Sequence, residues 1–312
     1  MNKYTETDTP SGVIGYRIIT DDAGVVTASV NSHRGRDVEL HIPAYLDEDG
    51  LRIPVTEIDK KAFLSDKYLH GVTVPDSVIR IGEWAFAGCR SLRSISLPRG
   101  IDAANGAFRD CTDLRRVDLR GDAVTDPVSD DTGYLLAAVI KLMDDRYLFD
   151  LKEAGSGDWL SNWDMRMDMI MSEPDEEGFS ALLACGEEDY EGRDNTLDAY
   201  LSRRRRRKIR VCLVRLMHDH GLSDERRERL GSYLYEHRAG AEHPDAWRVV
   251  LEEHGDEEEY YDVLRRYGCI DDKAAAIMLD DMGDSHAGMK SYLIRLSSGT
   301  SDESFFDSMD LL

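Results

Sequence analysis

Residues 202–210 read SRRRRRKIR, seven cationic side chains in nine positions of a 312-residue chain whose formal net charge is -23. Guanidinium groups at that density can bind phosphate, nucleic acid or carboxylate, the last in planar, bidentate pairs. A helix turns 100° per residue, so Arg203 to Arg207 cannot share one face, and some must point at neighbouring helices. The acids of the preceding turn, Glu187, Glu188, Asp189, Glu191 and Asp194, are within easy chain reach. A sequence-specific nucleic-acid binder would add interleaved aromatics or a reading helix, and neither flanks this run. We therefore expect internal pairing with the protein's own acids, ahead of an acidic partner and ahead of nucleic acid.

Other chemistry-bearing clusters lead to less. His218-Asp219-His220 places two imidazoles two residues apart, on different sides of a helix, at an end where histidine suits the dipole. The acidic clusters at 187–189 and 257–259 lack the alternating oxygens and central glycine of a calcium loop. No phosphate-binding glycine loop, dinucleotide fingerprint, nucleophile elbow or zinc-protease helix occurs. The expectation is no catalytic residue, no metal and no cofactor. An enzyme or nucleotide-dependent regulator hidden in the helical half is kept as an alternative.

Five cysteines, Cys89, Cys111, Cys185, Cys212 and Cys269, have no C-x-x-C spacing, which favours neither a disulfide framework nor a zinc site. The first twenty residues lack a basic start followed by an apolar segment. No stretch approaches the ~20 apolar residues of a membrane span. A reduced, cytoplasmic protein that does not engage the membrane is expected. The charge divides unevenly: residues 1–124 carry 16 basic against 19 acidic side chains, net -3, and residues 125–312 carry 23 against 43, net -20. A field of that sign repels nucleic-acid backbones and favours solubility or basic partners.

The elements that must position any site emerge from an internal repeat. Segments 55–75, 78–98 and 101–119 align, with Ile58, Ile81 and Ala104 each 23 residues apart. Phe63, Phe86 and Phe108 follow at 23 and then 22, as do Leu69, Leu92 and Leu114, and Val72, Ile95 and Val117. The one-residue shortening is expected between Ala104 and Ala107. Val72-x-Val74, Ile95-x-Leu97 and Val117-x-Leu119 have the two-residue period of a strand with one buried face. Ala-Phe at 62–63, 85–86 and 107–108 supplies the apolar filling of each coil, and Cys89 and Cys111 fall at equivalent positions of a small-residue column. One such unit cannot close a core; stacking does.

The pattern I-x-x-x-A-F-x-x-C-x-x-L-x-x-I-x-L-P resembles the BspA-like leucine-rich repeat family over about residues 12–120. That resemblance implies a curved or straight β-solenoid and repeats that mediate protein binding; exported members imply a cell-surface adhesin, the second alternative. Residues 15–30 read as a β-hairpin turning at Asp22 to Gly24 and capping the first coil. Leu40-x-Ile42-Pro43 reads as an early, irregular strand. The outward positions of the strand column are Thr73, Ser96 and Asp118, with His70, Arg93 and Arg115 on the preceding turn. These six are the candidate partner-binding residues of the solenoid.

Beyond Asp122 strand signals stop. Leu135, Leu136, Val139, Ile140 and Met143 recur at helical spacing, and Trp159, Leu160, Trp163, Met167 and Ile170 form one stripe. Acidic or serine-capped helix starts follow short turns down to residue 298. The segment 247–279 weakly resembles ankyrin-type helical hairpins, without their T-P-L-H signature. The tail interleaves Phe305, Phe306, Met309, Leu311 and Leu312 with Asp307 and Asp310, a composition that can fold into a partner's groove. The fold expected is α+β in two domains: a short leucine-rich-repeat β-solenoid with its hairpin cap (1–124), an acidic all-α helical-hairpin repeat domain (125–298), and a flexible tail (299–312). The function expected is non-catalytic protein–protein interaction or scaffolding, the partner being protein and its identity open.

Overall fold

In a computed structural model of the chain, the structure describes residues 3–10, 12–36, 38–104, 106–121, 131–143, 145, 147–180 and 196–297. The chain divides into two compact units, Met1–Arg166 and Met167–Leu312.

The first unit is built on the alternation read in the repeat. Its strands are β1 (Lys3–Thr9), β2 (Gly12–Thr20), β3 (Val26–Arg34), β4 (Glu39–His41), β5 (Tyr45–Glu48), β6 (Leu51–Ile58), β7 (Gly71–Thr73), β8 (Arg80–Ile81), β9 (Ser94–Pro98), β10 (Asp102–Ala103) and β11 (Arg116–Arg120). One strand per coil makes a parallel sheet in the order β11-β9-β7-β4. Its register sets Leu40, Val72, Ile95 and Val117 side by side, all buried, so the early strand at Leu40 is a full member. The second sheet runs β1-β2-β3-β6-β8-β10. In it Ile58 opposes Ile81, but Ile81 opposes Ala103. The shortened coil therefore loses its residue before Ala104, one step earlier than the spacing of aliphatic residues indicates, because alanine at 103 and 104 leaves the register unmarked in sequence.

Between the sheets the Ala-Phe turns stack. Phe63 and Phe86 lie with ring centroids 4.7 Å apart and nearly parallel, and Phe86 and Phe108 at 5.5 Å. His33 tilts over the first ring at 5.9 Å, and Phe149 meets the last edge-on at 5.7 Å. The column thus ends on other rings and not in water. Each turn needs left-handed backbone twice, at Lys61, Trp84 and Gly106 and again at Ser65, Gly88 and Asp110. Gly106 is also required sterically, since a Cβ there would stand 2.8 Å from the Trp84 ring.

The cysteines of the repeat are buried donors: Cys89 Sγ donates to the Phe63 carbonyl at 3.0 Å and Cys111 Sγ to that of Phe86 at 3.2 Å. Burial pushes the Cys89 thiol up to about 12 and raises Cys111 as well. At pH 8 a thiol with that pKa is thiolate in roughly one molecule in 10⁴, and thiolate is the nucleophile. Iodoacetamide is therefore expected to leave both cysteines unmodified in the folded protein and to label both in denaturant, as peptide mass spectrometry would read. Rapid labelling of Cys89 in the native state would contradict its place in the column.

The hairpin cap holds β2 and β3 through a turn in which Asp21 Oδ1 accepts from the amides of Ala23 and Val25. β1 adds a third antiparallel strand that the sequence left unread. β3 continues into the solenoid by pairing in parallel with β6, and Asp59 ties the two together, accepting from Arg17 and from Ser29 Oγ.

α1 (Asp131–Ala138), followed by a π-helical turn (Val139–Met143), lies against β11: a Cβ on Gly133 would come 2.8 Å from the Val117 carbonyl. That close approach makes α1 part of the first unit and its cover at β11. α2 (Gly157–Ser172) begins in the first unit and ends in the second. Its stripe is core: Trp159, Trp163, Met167 and Ile170 are buried and Leu160 half-buried. The indole N–H groups of Trp159 and Trp163 donate to the carbonyls of Leu148 and Leu135.

The second unit is helical: α3 (Leu197–Met217), α4 (Asp224–Glu236), α5 (Asp245–His254), α6 (Glu258–Arg266), α7 (Asp272–Asp281) and α8 (Ala287–Ser297). Thr196, Ser223 and Asp271 cap three of them, each accepting from the amide three residues on. α4, α5 and α6 all pack on α3, through buried Ile209, Cys212, Leu213 and Leu216. Gly231 of α4 lets Tyr267 approach, for a Cβ there would sit 2.2 Å from the Tyr267 ring. Gly231→Ala gains about 1 kcal/mol in helix propensity against about 1–3 kcal/mol of overpacking. A net lowering of the thermal midpoint is expected; a raised midpoint would show that Tyr267 moves aside freely. No helix among the described residues is long and apolar enough to cross a membrane.

Candidate functional site

Adjacent strands stand about 4.8 Å apart, so residues in register form columns at that spacing. On the outer face of the parallel sheet His41, Thr73, Ser96 and Asp118 make one column. Glu39, Gly71, Ser94 and Arg116 make the next. His70, Arg93 and Arg115 form a third column just before the strands, joined by amides of one coil donating to carbonyls of the coil before: Arg93 N to His70 O and Arg115 N to Arg93 O, both at 2.7 Å. His70 is half-buried; Arg93 and Arg115 are exposed. The solenoid thus brings all six of its candidate residues together on two parallel lines.

The last strand adds side chains that the candidate set omitted. Arg120 reaches back over the face, donating to Ser96 Oγ at 2.5 Å, to the Val74 carbonyl, and to Asp76 at 2.9 Å. Arg116 pairs with Asp118 and lies over the Tyr134 ring at 5.3 Å. The signal was available: Arg116 and Arg120 stand two residues either side of Asp118, and a strand with period two points all three outward. Ser96 and Asp118 are therefore already engaged, and the face carries fixed charge from two arginines. Thr73 and His41 complete its column towards β4, the open edge of the sheet.

At the opposite end of the sequence, the tail candidates Phe305, Phe306, Met309, Leu311 and Leu312 lie outside the described residues.

Five cations of the run pair with acids of the second unit. Arg204 pairs with Glu173 at 2.6 Å, Arg205 with Asp245 at 2.6 Å, and Arg206 with Glu252 at 2.5 Å. Lys208 reaches Asp175 at 2.8 Å, and Arg210 grips Glu253 with two nitrogens, at 2.8 and 2.6 Å. Arg203 lies 6.0 Å from the Tyr200 ring. Glu253 is pushed up by burial, but Arg210 and Arg206 hold its carboxyl below the usual carboxylate range. The acids between residues 187 and 194, expected as counter-charges, lie outside the described residues. The acids that do the pairing come from segments 31 to 47 residues away, which local chain reach could not indicate.

His218 and His220 serve through their backbone: their carbonyls accept from the guanidinium of fully buried Arg215. Among the described residues no group of three His, Cys, Asp or Glu stands close enough to hold a metal.

The repeat segment is matched by a known family. Residues 50–126 match the family described as "BspA type Leucine rich repeat region (6 copies)". No curated protein matches the chain. Among solved structures it is similar to a leucine rich cell surface protein of Faecalibacterium prausnitzii (25% identity, 37% of this chain, 31% of that one, TM-score 0.31). It is also similar to a leucine rich repeat protein of T. pallidum (28%, 33%, 46%, 0.29) and one of Bacteroides capillosus (26%, 37%, 99%, 0.28). The chain spans less than half the length of the first two. Residues 50–126 thus match the BspA type leucine rich repeat region, and the described part of that segment carries the stacked phenylalanines, the cysteine column and the in-register strands.

Proposed function

We propose that the chain is a non-catalytic interaction protein that binds another protein on the outer face of its parallel sheet. The observation that carries this is the in-register column His41, Thr73, Ser96 and Asp118, flanked by His70, Arg93 and Arg115. A stack of coils offers a rigid, extended face whose side chains lose little freedom on binding. Leucine-rich repeats generally bind proteins and generally do not catalyse reactions, and this chain's own face fits the first role: small polar groups, flat backbone and paired arginines. The partner would meet four arginines, Arg93, Arg115, Arg116 and Arg120, against three acids, Glu39, Asp76 and Asp118, a small positive excess that an acidic surface suits.

The reading places the protein in a reducing compartment, the cytoplasm. Supporting this, the four described cysteines are unpaired and buried. The test is a pull-down from native extract with the full chain, with Thr73→Glu, and with a chain ending at Ser301. Thr73→Glu puts a charge that repels an acidic partner at the centre of the face without touching the core, and is expected to reduce recovery of a partner tenfold or more. Recovery unchanged by Thr73→Glu but lost on truncation would transfer recognition to the tail.

A further inference from the structure

Arg99 is 9% exposed, yet its charge is met only in part. Its Nη1 donates to the Ala154 carbonyl at 2.9 Å and reaches those of Lys152 and Leu151 at 3.4 and 3.5 Å. Its Nε is buried without an acceptor, and no carboxylate among the described residues pairs with it. Lys208, also buried, has Asp175, and the nearly buried Arg205 has Asp245, whereas fully buried Arg215 is met by two carbonyls on separate nitrogens, those of His218 and His220. Carbonyl dipoles offset only part of the cost of removing a guanidinium from water. The repeat itself does not ask for a cation there, since the same position one coil earlier is Asp76, 23 residues back, and one coil later is Gly121.

Arg99 lines an open cavity of about 540 Å³ in the first unit, at the turns that follow the sheet strands. The other charged groups lining it are Arg120, Lys152 and Asp76. Asp76 is taken by Arg120 at 2.9 Å. Lys152 is exposed, and its Nζ has no acceptor among the described residues. Three cations against one anion leave two positive charges around one cavity in a strongly acidic protein. The wall between them is apolar, with buried Val78 and Ile101. A small-ligand site has this composition and size: a mostly apolar lining with a few convergent polar groups. A bare ion would leave the apolar wall wet, and a neutral apolar molecule would leave the cations unpaired.

We propose that this cavity binds a small organic anion, its carboxylate or phosphate head between Arg99 and Lys152 and its apolar body against Val78 and Ile101. The site goes beyond the sheet-face reading, since Arg99 and Lys152 are not part of that face. Both head groups offer planar or tripodal oxygens to a guanidinium fork, and the test separates them.

The ¹⁵N-labelled full chain is titrated with hexanoate, phenyl phosphate, hexanamide and inorganic phosphate, following the Arg99 Nε–H and the Ile101 amide. At least one of hexanoate and phenyl phosphate is expected to shift both signals saturably, at least tenfold more tightly than its control, hexanamide for the former and inorganic phosphate for the latter. The tighter of the two identifies the head group. Lys152→Glu, a change on an exposed side chain, is expected to weaken that binding tenfold or more without moving the thermal midpoint. The proposal is overturned if neither organic anion gives a saturable shift, if the controls bind as tightly, or if Lys152→Glu leaves the affinity unchanged.

Discussion

Phe86→Ala is expected to remove about 3–5 kcal/mol from the stability of the first unit, out of the roughly 5–15 kcal/mol that holds a domain. Phe86 is fully buried, and both faces of its ring are covered, by Phe63 and Phe108. Its amide donates to the Ala107 carbonyl at 2.8 Å, and its own carbonyl receives the Cys111 thiol. Truncation opens a cavity between the coils on either side, and in a linear stack each coil is stabilised mainly by its neighbours. Neither flanking ring can close the gap, because each is fixed by its own left-handed turn. Urea unfolding of the full chain, followed by far-UV circular dichroism, reads the effect. A loss under about 1.5 kcal/mol, the scale of a conservative core swap, would mean the column repacks and the coils are not coupled through it.

Asp245→Ala is expected to cost a similar about 3–5 kcal/mol in the second unit. The Asp245 carboxylate is 2% exposed, accepts from Ser202 Oγ at 2.8 Å and from Arg205 Nε at 2.6 Å, and opens α5. Removing it strands the Arg205 guanidinium, 12% exposed, without a counter-charge. The pair itself contributes less than this cost, since desolvation consumes much of the attraction; the penalty comes from leaving one partner behind. Arg205→Met combined with Asp245→Leu is accordingly expected to recover most of the loss. Thermal unfolding of Arg205→Met, of Asp245→Leu and of the double variant closes the cycle. A double variant as unstable as the sum of the singles would show that Asp245 acts through the helix terminus and Ser202 and not through Arg205.

The face that carries the proposed function was partly legible in the chain. Thr73, Ser96 and Asp118 follow from alternation alone, because a strand's side chains change face at every residue and an inward Val72, Ile95 or Val117 fixes its neighbour outward. Arg120's reach across two coils does not follow. A long side chain has many rotamers, and only the placement of Ser96, the Val74 carbonyl and Asp76 in adjacent coils selects one. The same holds for Arg99, whose position in the repeat is plain but whose lack of a counter-charge depends on which turn, 151–154, folds over it. The cover at β11 was hidden too. Gly133 and its approach to Val117 involve a single missing Cβ, and periodicity reads apolar faces, not close backbone contacts.

By itself the sequence determined the solenoid: a period of 22 to 23 residues, repeated at aliphatic, aromatic and cysteine positions together, has one way to bury all of them, which is to stack. It also determined that the arginine run could not lie on one surface, since helical geometry forbids it. Only the tertiary structure decided which acids answer that run. Glu173, Asp175, Asp245, Glu252 and Glu253 reach α3 from helices and turns distant in the chain. Charge attracts without regard to sequence separation, so pairing is settled by packing, whereas a repeat is local and writes itself into the chain.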